Sequence, residues 1–440
     1  MSMIIPFHGT MYDAKIVGDI ANVVAPPYDI IDCAGQKALH DRHPQNIIRL
    51  ELGLDHPGDG PTSNRYTRAG DTLCDWLRSG ALKRDEQPAI YYHTIEYTPP
   101  YSQPGTPTKV LKGFLATVKL EALDSGHIYP HENTRAAAKT DRLNLLEACR
   151  SNFSPIWSLY SDPQNSVIGA LEASVKGKPA RIDFHDDDGF RQQLWVVTDP
   201  AVLRQVVEAM HSKPLFIADG HHRYETALNY QRLRRQQEGT VTGQQPYDCV
   251  LMLLAALEDP GLTVLPTHRV ITTALPPYEQ VKTLLGGKLD LQEFPYTRST
   301  EAAVREQFLD SLKVNGRTVP MFGLALKEQD RYVILTVKSA YRPTAQTSPR
   351  ARLDVSLLQH LVVTTLCPTQ PEQEAMLYTK DDHEALDWVG RGKGTGALLL
   401  NATKVREVQA VATAGERMPH KSTYFFPKPL TGLVINVFER

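Results

Sequence analysis

Net charge, paired cysteines and long apolar runs are all scarce in this 440-residue sequence, and each shortage closes off a class of protein. With 48 Lys and Arg against 50 Asp and Glu, the formal charge is only -2, so nothing draws the whole chain to nucleic acid or to an anionic membrane. Any anion binding has to be built locally. The five cysteines, Cys33, Cys74, Cys149, Cys249 and Cys367, lie far apart with no C-x-x-C pair and no Cys/His zinc spacing, which fits a reducing cytoplasm. The longest apolar stretch, Val250 to Leu257, is too short to span a bilayer, and the first residues lack the basic start and apolar core of a signal peptide. A soluble, cytoplasmic protein with no membrane partner is expected. Missing as well are a P-loop, a G-x-G-x-x-G fingerprint, an H-E-x-x-H helix and a G-x-S-x-G elbow, so P-loop, Rossmann, zincin and hydrolase-elbow chemistry has no support.

The chain is long enough for two or three domains, and its 41% apolar residues can build their cores. Ser63 to Leu77 reads as a helix ending near Gly80. Ile90 to Ile95 and Val110 to Val118 read as strands around a long Pro/Gly-rich hairpin tip. Thr140 is placed to cap a helix running to Arg150, Leu194 to Val197 reads as a short strand, and Cys249 to Leu257 as a buried one. Thr272 to Pro277 interrupts the pattern. Beyond it, Met321 to Ala325 and Tyr332 to Val337 form a hairpin, and Gly396 to Leu400, Ala402 to Ala414 and Thr431 to Phe438 read as a β-α-β ending. Three regions result: an N-terminal α/β region (1–118), a nucleotide- or phosphate-binding core (119–275) and a C-terminal α/β region (276–440).

The most informative segment is Phe216 to Leu228, an apolar strand followed by Asp219, Gly220, His221, His222 and Arg223 at the opening of a helix. A helix start exposes unpaired N–H groups and a partial positive charge, glycine admits close backbone approach, and a guanidinium forks onto phosphate oxygens. Strand–Gly–helix junctions also occur as plain structure, with Asp219 as an ordinary N-cap. Four further clusters stand out. Pro130-His131-Glu132-Asn133-Thr134, followed by Lys139, Asp141 and Arg142, is dense in acid, base and cation, and Glu132 could take a hydroxyl proton. Pro26-Pro27 stiffens a turn that presents Tyr28 and Asp29. His268 and Arg269 end an apolar strand, and Lys421 sits in a run of lysines, hydroxyls and aromatics; these cations could add to the same anion pocket. A zinc site from His221, His222 and distant acids, and a nucleic-acid contact from the basic helix end at Arg232, Arg234 and Arg235, are the less favoured uses of such residues.

Through Ala25 to Asp29, Pro130 to Thr134, Asp141 to Leu143, Ile217 to Leu228, Pro266 to Arg269 and Met418 to Phe425, the sequence resembles the domain-of-unknown-function 1015 family over nearly its full length. More remotely, Asp219 to Arg223 is similar to the nucleotide-phosphate motif of the ParB/sulfiredoxin superfamily, which includes free-serine kinases. That resemblance implies an α/β (α+β) fold: a ParB/sulfiredoxin-like core with an N-terminal extension and a C-terminal α/β unit. It implies phosphate held by Gly220, His221, His222 and Arg223, with Asp219 orienting the loop or a metal and Glu132, beside His131, as the base. His268, Arg269 and Lys421 would add phosphate contacts, and Tyr28, Asp29, Thr134, Lys139 and Arg142 would meet the substrate. The activity implied is phosphoryl transfer from ATP or ADP, with Mg2+, to a small hydroxylated metabolite, free L-serine first. A phosphatase using the same pocket, or a nucleotide-sensing ParB-like regulator, are the alternatives. His221 stands where sulfiredoxin has its cysteine, so sulfinic acid repair is not expected.

Overall fold

The structure, a computed structural model, describes residues 4–102, 105–123, 125–132, 134, 136–239, 242–368 and 376–438. It divides into two compact units: residues 1–263 with 427–440, and residues 264–426. The second is thus an insertion in the sequence of the first. The boundary expected at 118/119 falls inside a strand, Lys109–Lys119, that pairs on both sides.

The first unit is built on a mixed sheet. Its strands are β1 (Ile4–Ile5), β2 (Ile90–Tyr97), β3 (Lys109–Lys119), β4 (Ile128–Tyr129), β5 (Ile156–Tyr160), β6 (Ile182–His185), β7 (Arg191–Val197), β8 (Leu215–Asp219) and β9 (Cys249–Ala256). Their spatial order is β4-β8-β5-β9-β3-β2-β7-β6, with β1 beside β3. Two neighbour pairs, β4 with β8 and β5 with β9, are parallel; the others are antiparallel. The expected hairpin is β2–β3, in register from Tyr91 opposite Leu115 to Tyr97 opposite Lys109.

Helix α1 (Arg65–Ser79) begins at a capping box on Asn64 and stops at Gly80, whose φ of 78° is the left-handed conformation that glycine adopts without strain. Helices α2 (Ala136–Cys149), α3 (Ser166–Val175), α4 (Pro200–Met210) and α5 (His221–Glu238) are among the others of this unit. Val167, Ile168 and Leu171 of α3, Val206 and Met210 of α4, and Tyr224, Ala227 and Leu228 of α5 share one core cluster with alternate residues of the sheet, Val250, Met252, Leu254 and Ala256 among them. That alternation is the period-two pattern of a strand with one face in this core.

The second unit holds a six-stranded sheet of β10 (His268–Ile271), β11 (Leu289–Pro295), β12 (Met321–Leu326), β13 (Arg331–Val337), β14 (Met376–Thr379) and β15 (Gly396–Leu399), in the order β11-β13-β12-β15-β10-β14. Every pairing in it is antiparallel. Phe308, Leu309 and Leu312 of α6 (Glu301–Asn315) and Ala385, Leu386 and Val389 of α7 (Asp382–Gly390) bury one face of the sheet. Sheets of mixed and antiparallel pairing with separately placed helices make this an α+β protein.

Two expectations give way. The helix placed after Thr140 begins at Ala136, because alanines carry it a turn earlier and the Thr140 hydroxyl bonds back to the Ala136 carbonyl instead of capping. The strand expected over Thr431 to Phe438 is reduced to Asn436–Val437, paired with Ser151–Asn152 in the first unit, so the β-α-β ending does not form.

Candidate functional site

Strand β8 is buried along its whole length and ends at Asp219. A register shift between Ile217 and Asp219 against β5 marks a bulge at Ala218, a device that re-aims the end of a strand. Gly220 then takes φ +92° as the N-cap of α5. A Cβ there would stand 3.0–3.1 Å from the Arg223 guanidinium, so glycine is required both for the turn and for the side chain lying over it. Being glycine, the cap offers no side-chain acceptor to the N–H groups of the first turn.

Strand β4 runs parallel to β8, with Ile128 opposite Leu215 and Tyr129 stacked on Phe216 at 5.3 Å. Parallel neighbours leave a sheet at the same end, so the chain after Tyr129 arrives beside the chain after Phe216. This brings the polar loop to the helix start across some 90 residues of sequence. The His131 N–H donates to Nε2 of His221 at 3.2 Å, and the two rings meet edge-on at 4.6 Å. With Nε2 accepting, the ring proton of a neutral His221 sits on Nδ1, which lies 4.0 Å from a Glu132 carboxylate oxygen. His131 and His221 are buried, whereas the Glu132 side chain keeps 35% exposure. Asn133, in the same loop, lies outside the described residues.

Asp219 does not cap the helix. One of its oxygens accepts from Arg223 at 2.6 Å and the other from Lys428. Burial would raise its pKa, but the two cations override this and hold it down at about 2. Arg223 also donates to the Pro155 carbonyl at 2.6 Å, clipping the end of β8 to the start of β5. The fork expected on phosphate is therefore occupied by protein, a correction that follows from the need to neutralise a buried carboxylate.

His222 is half-buried, and burial pushes its pKa below the ordinary histidine value, against the pull of Glu225, Asp29 and Glu132. It is predominantly neutral at pH 7. Glu225, one turn further along α5, accepts from the Thr134 hydroxyl at 2.6 Å and from Lys139 at 2.9 Å. Asp29 is exposed and within electrostatic reach of His222.

Arg142 is engaged by the protein itself. Its guanidinium is buried, paired with Glu51 at 2.9 Å and Asp141 at 2.6 Å, and 4.0 Å from the centre of the Tyr28 ring. Burial raises the Tyr28 hydroxyl to about 12. Between this network and Arg223 lies a cavity of about 50 Å³, lined by Glu51, Arg142, Ser154, Arg223 and Thr226 among others. His268, Arg269 and Lys421 belong to the second unit. There His268 and Arg269 are buried in β10, with burial pushing His268 down to about 4, and Lys421 is exposed in a loop.

Glu225 was not singled out in the sequence, although it follows His221 by four positions and so shares its helix face. Lys428 closes the run of lysines, hydroxyls and aromatics that holds Lys421, but nothing local tied it to Asp219, 209 residues away. Among the described residues no group of three or more His, Cys, Asp or Glu side chains forms a metal-holding set. Asp219, for which the resemblance implied orienting the loop or a metal, has both oxygens engaged by cations.

A family model described as "Protein of unknown function (DUF1015)" matches residues 4–356. The chain belongs to this family. No curated protein matches the sequence. Among solved structures, the chain is similar to a conserved hypothetical protein from Pyrococcus furiosus (11% identity, TM-score 0.31, covering 72% of this chain and 93% of that one). It is also similar to a free serine kinase in complex with AMP (13%, 0.33, 74% and 91%), and to C-terminally truncated SbnI from Staphylococcus aureus (11%, 0.33, 72% and 85%).

Proposed function

We propose that this DUF1015 member is a nucleotide-dependent phosphotransferase acting on a small hydroxylated metabolite, with free L-serine the first substrate to test. The observation that carries the reading is the meeting of the His131-Glu132 loop with the Asp219 to Arg223 turn, at 4.0 Å between Glu132 and His221. A base and an anion-binding helix start are the two parts phosphoryl transfer asks of a protein, because positioning and charge neutralisation supply most of the catalysis. The motif resemblance to free-serine kinases is what puts serine first among substrates to test.

In this reading the phosphates lie against the first-turn N–H groups of α5, with His222 as a hydrogen-bonding neighbour and Gly220 allowing close approach. Arg223 and Lys428 hold Asp219 and thereby the turn. Glu132 takes the proton of the attacking hydroxyl. Magnesium would travel on the nucleotide phosphates, neutralising charge there, with Asp29 and Glu132 the nearby carboxylates that solvent reaches.

The test is to incubate the full chain with serine, magnesium and ATP or ADP and to look for O-phosphoserine by mass spectrometry. Phosphoserine is expected, with Glu132→Gln binding nucleotide normally by calorimetry and losing about 100-fold or more in turnover. Absence of any phosphorylated product across a panel of hydroxy-amino acids overturns the reading, and undiminished turnover in Glu132→Gln removes the base.

A further inference from the structure

Glu132 stands on a loop that leaves a strand of two residues, a short base from which to aim a carboxylate. Two anchors flank it. On one side the His131 N–H is held by His221; on the other, the Thr134 hydroxyl donates to Glu225 Oε2. His221 and Glu225 are four apart on α5 and present one face, so both anchors lie on a single rigid element. The same Glu225 oxygen takes Lys139 from the first turn of α2, the helix into which the loop runs.

We infer that Glu225 is a positioning residue that latches the Glu132 loop to the phosphate-binding helix, fixing the carboxylate at its working distance. This rests on the phosphotransferase reading for its consequence, although the latch itself is a property of the fold. The geometry has electrostatic support: burial would raise the Glu225 carboxyl, yet Thr134 and Lys139 hold it below the usual glutamate range, so the accepting carboxylate persists through neutral and mildly acidic pH.

The latch is tested in the full chain by hydrogen–deuterium exchange over 128–134, comparing wild type with Glu225→Ala, Glu225→Gln and Thr134→Val. Faster exchange in the loop is expected for Glu225→Ala and Thr134→Val, with the core of α5 unchanged. Glu225→Gln, which can still accept from Thr134, should recover most of the protection. In the phosphorylation assay kcat should fall by about 10- to 100-fold in Glu225→Ala, with the nucleotide Kd unchanged, because a base displaced by about 1 Å loses rate and not affinity. Thr134→Val removes one part-buried hydroxyl and keeps the test alive should Glu225→Ala fail to fold. Wild-type exchange in both variants overturns the latch; altered exchange with unchanged kcat overturns its positioning role. If wild type makes no phosphoserine, the function fails while exchange still decides the latch.

Discussion

Replacing Arg142 by methionine separates two accounts of that residue. As a substrate ligand, Arg142 could be lost with little effect on folding. The structure instead puts its guanidinium against Glu51, and their side chains are only 6% and 4% exposed. Once the guanidinium is gone, Asp141 still has Arg65 at 2.6 Å and the Tyr66 hydroxyl at 2.8 Å. Glu51 keeps only the Ser154 hydroxyl, at 2.7 Å, among its described partners. The penalty therefore falls on one buried, under-neutralised carboxylate, for which breaking the pair costs about 3–5 kcal/mol. For a unit of this size that lowers the melting temperature by about 6–20 °C. The assay is thermal unfolding followed by circular dichroism, with guanidinium titration as a second measure. Adding Glu51→Met to Arg142→Met should restore part of the loss, because two apolar side chains of similar volume leave no charge behind. A single variant that melts within about 2 °C of wild type would refute the reasoning. If it also bound substrate weakly, Arg142 would return to the site.

Three shorter expectations follow from the same geometry. Gly220→Ala should cost about 1–3 kcal/mol in a denaturant titration, since a Cβ at φ +92° is strained and meets the Arg223 guanidinium; unchanged stability would mean the turn relaxes freely. Asp219, depressed to about 2 in the fold, contributes stability that is present above the unfolded value near 4 and lost as pH falls toward 2, so acid melts of Asp219→Asn should be flatter than wild type across that window. Asp354 in the second unit is raised to about 7, first by burial and then by Glu407; stability tied to its protonated form is full below pH 4 and lost as pH rises through 7, and Asp354→Asn should abolish that slope in melts from pH 5 to 8.

The strands built from long apolar runs were legible: β2, β3, β9, β12 and β13 all stand where those runs put them, because most residues of each are buried on both faces of a sheet. Strand β4 was not. Two residues carry no period, and its parallel pairing with β8 joins segments nearly 90 residues apart that no local signal connects. Yet that pairing is what sets Glu132 beside His221. The final strand failed for the converse reason: the segment is apolar enough to be a strand, but Thr431 and Ile435 each make a single bridge, to Ala25 and Thr10.

Within the Asp219 to Arg223 motif, the sequence makes every polar residue look ligand-facing, and only burial separates them. A carboxylate at 11% exposure must be neutralised in place. Arg223 lies four residues on, the spacing at which a helix start returns over the preceding turn, so the nearest cation in sequence also reaches the carboxylate in space. Arg223 alone leaves the second oxygen of Asp219 unmet, and the chain supplies Lys428 for it after the whole second unit has been traversed. The charges that look most ready for phosphate are thus engaged with one another, two cations on one carboxylate, and in the proposed reading the phosphate contact falls to the first turn of α5, where the glycine cap supplies no side-chain acceptor. On this account nucleotide affinity should respond more to Gly220 than to any single cation of the motif, and Arg223→Lys, which keeps the charge but not the fork to Pro155, should lower stability before it lowers binding.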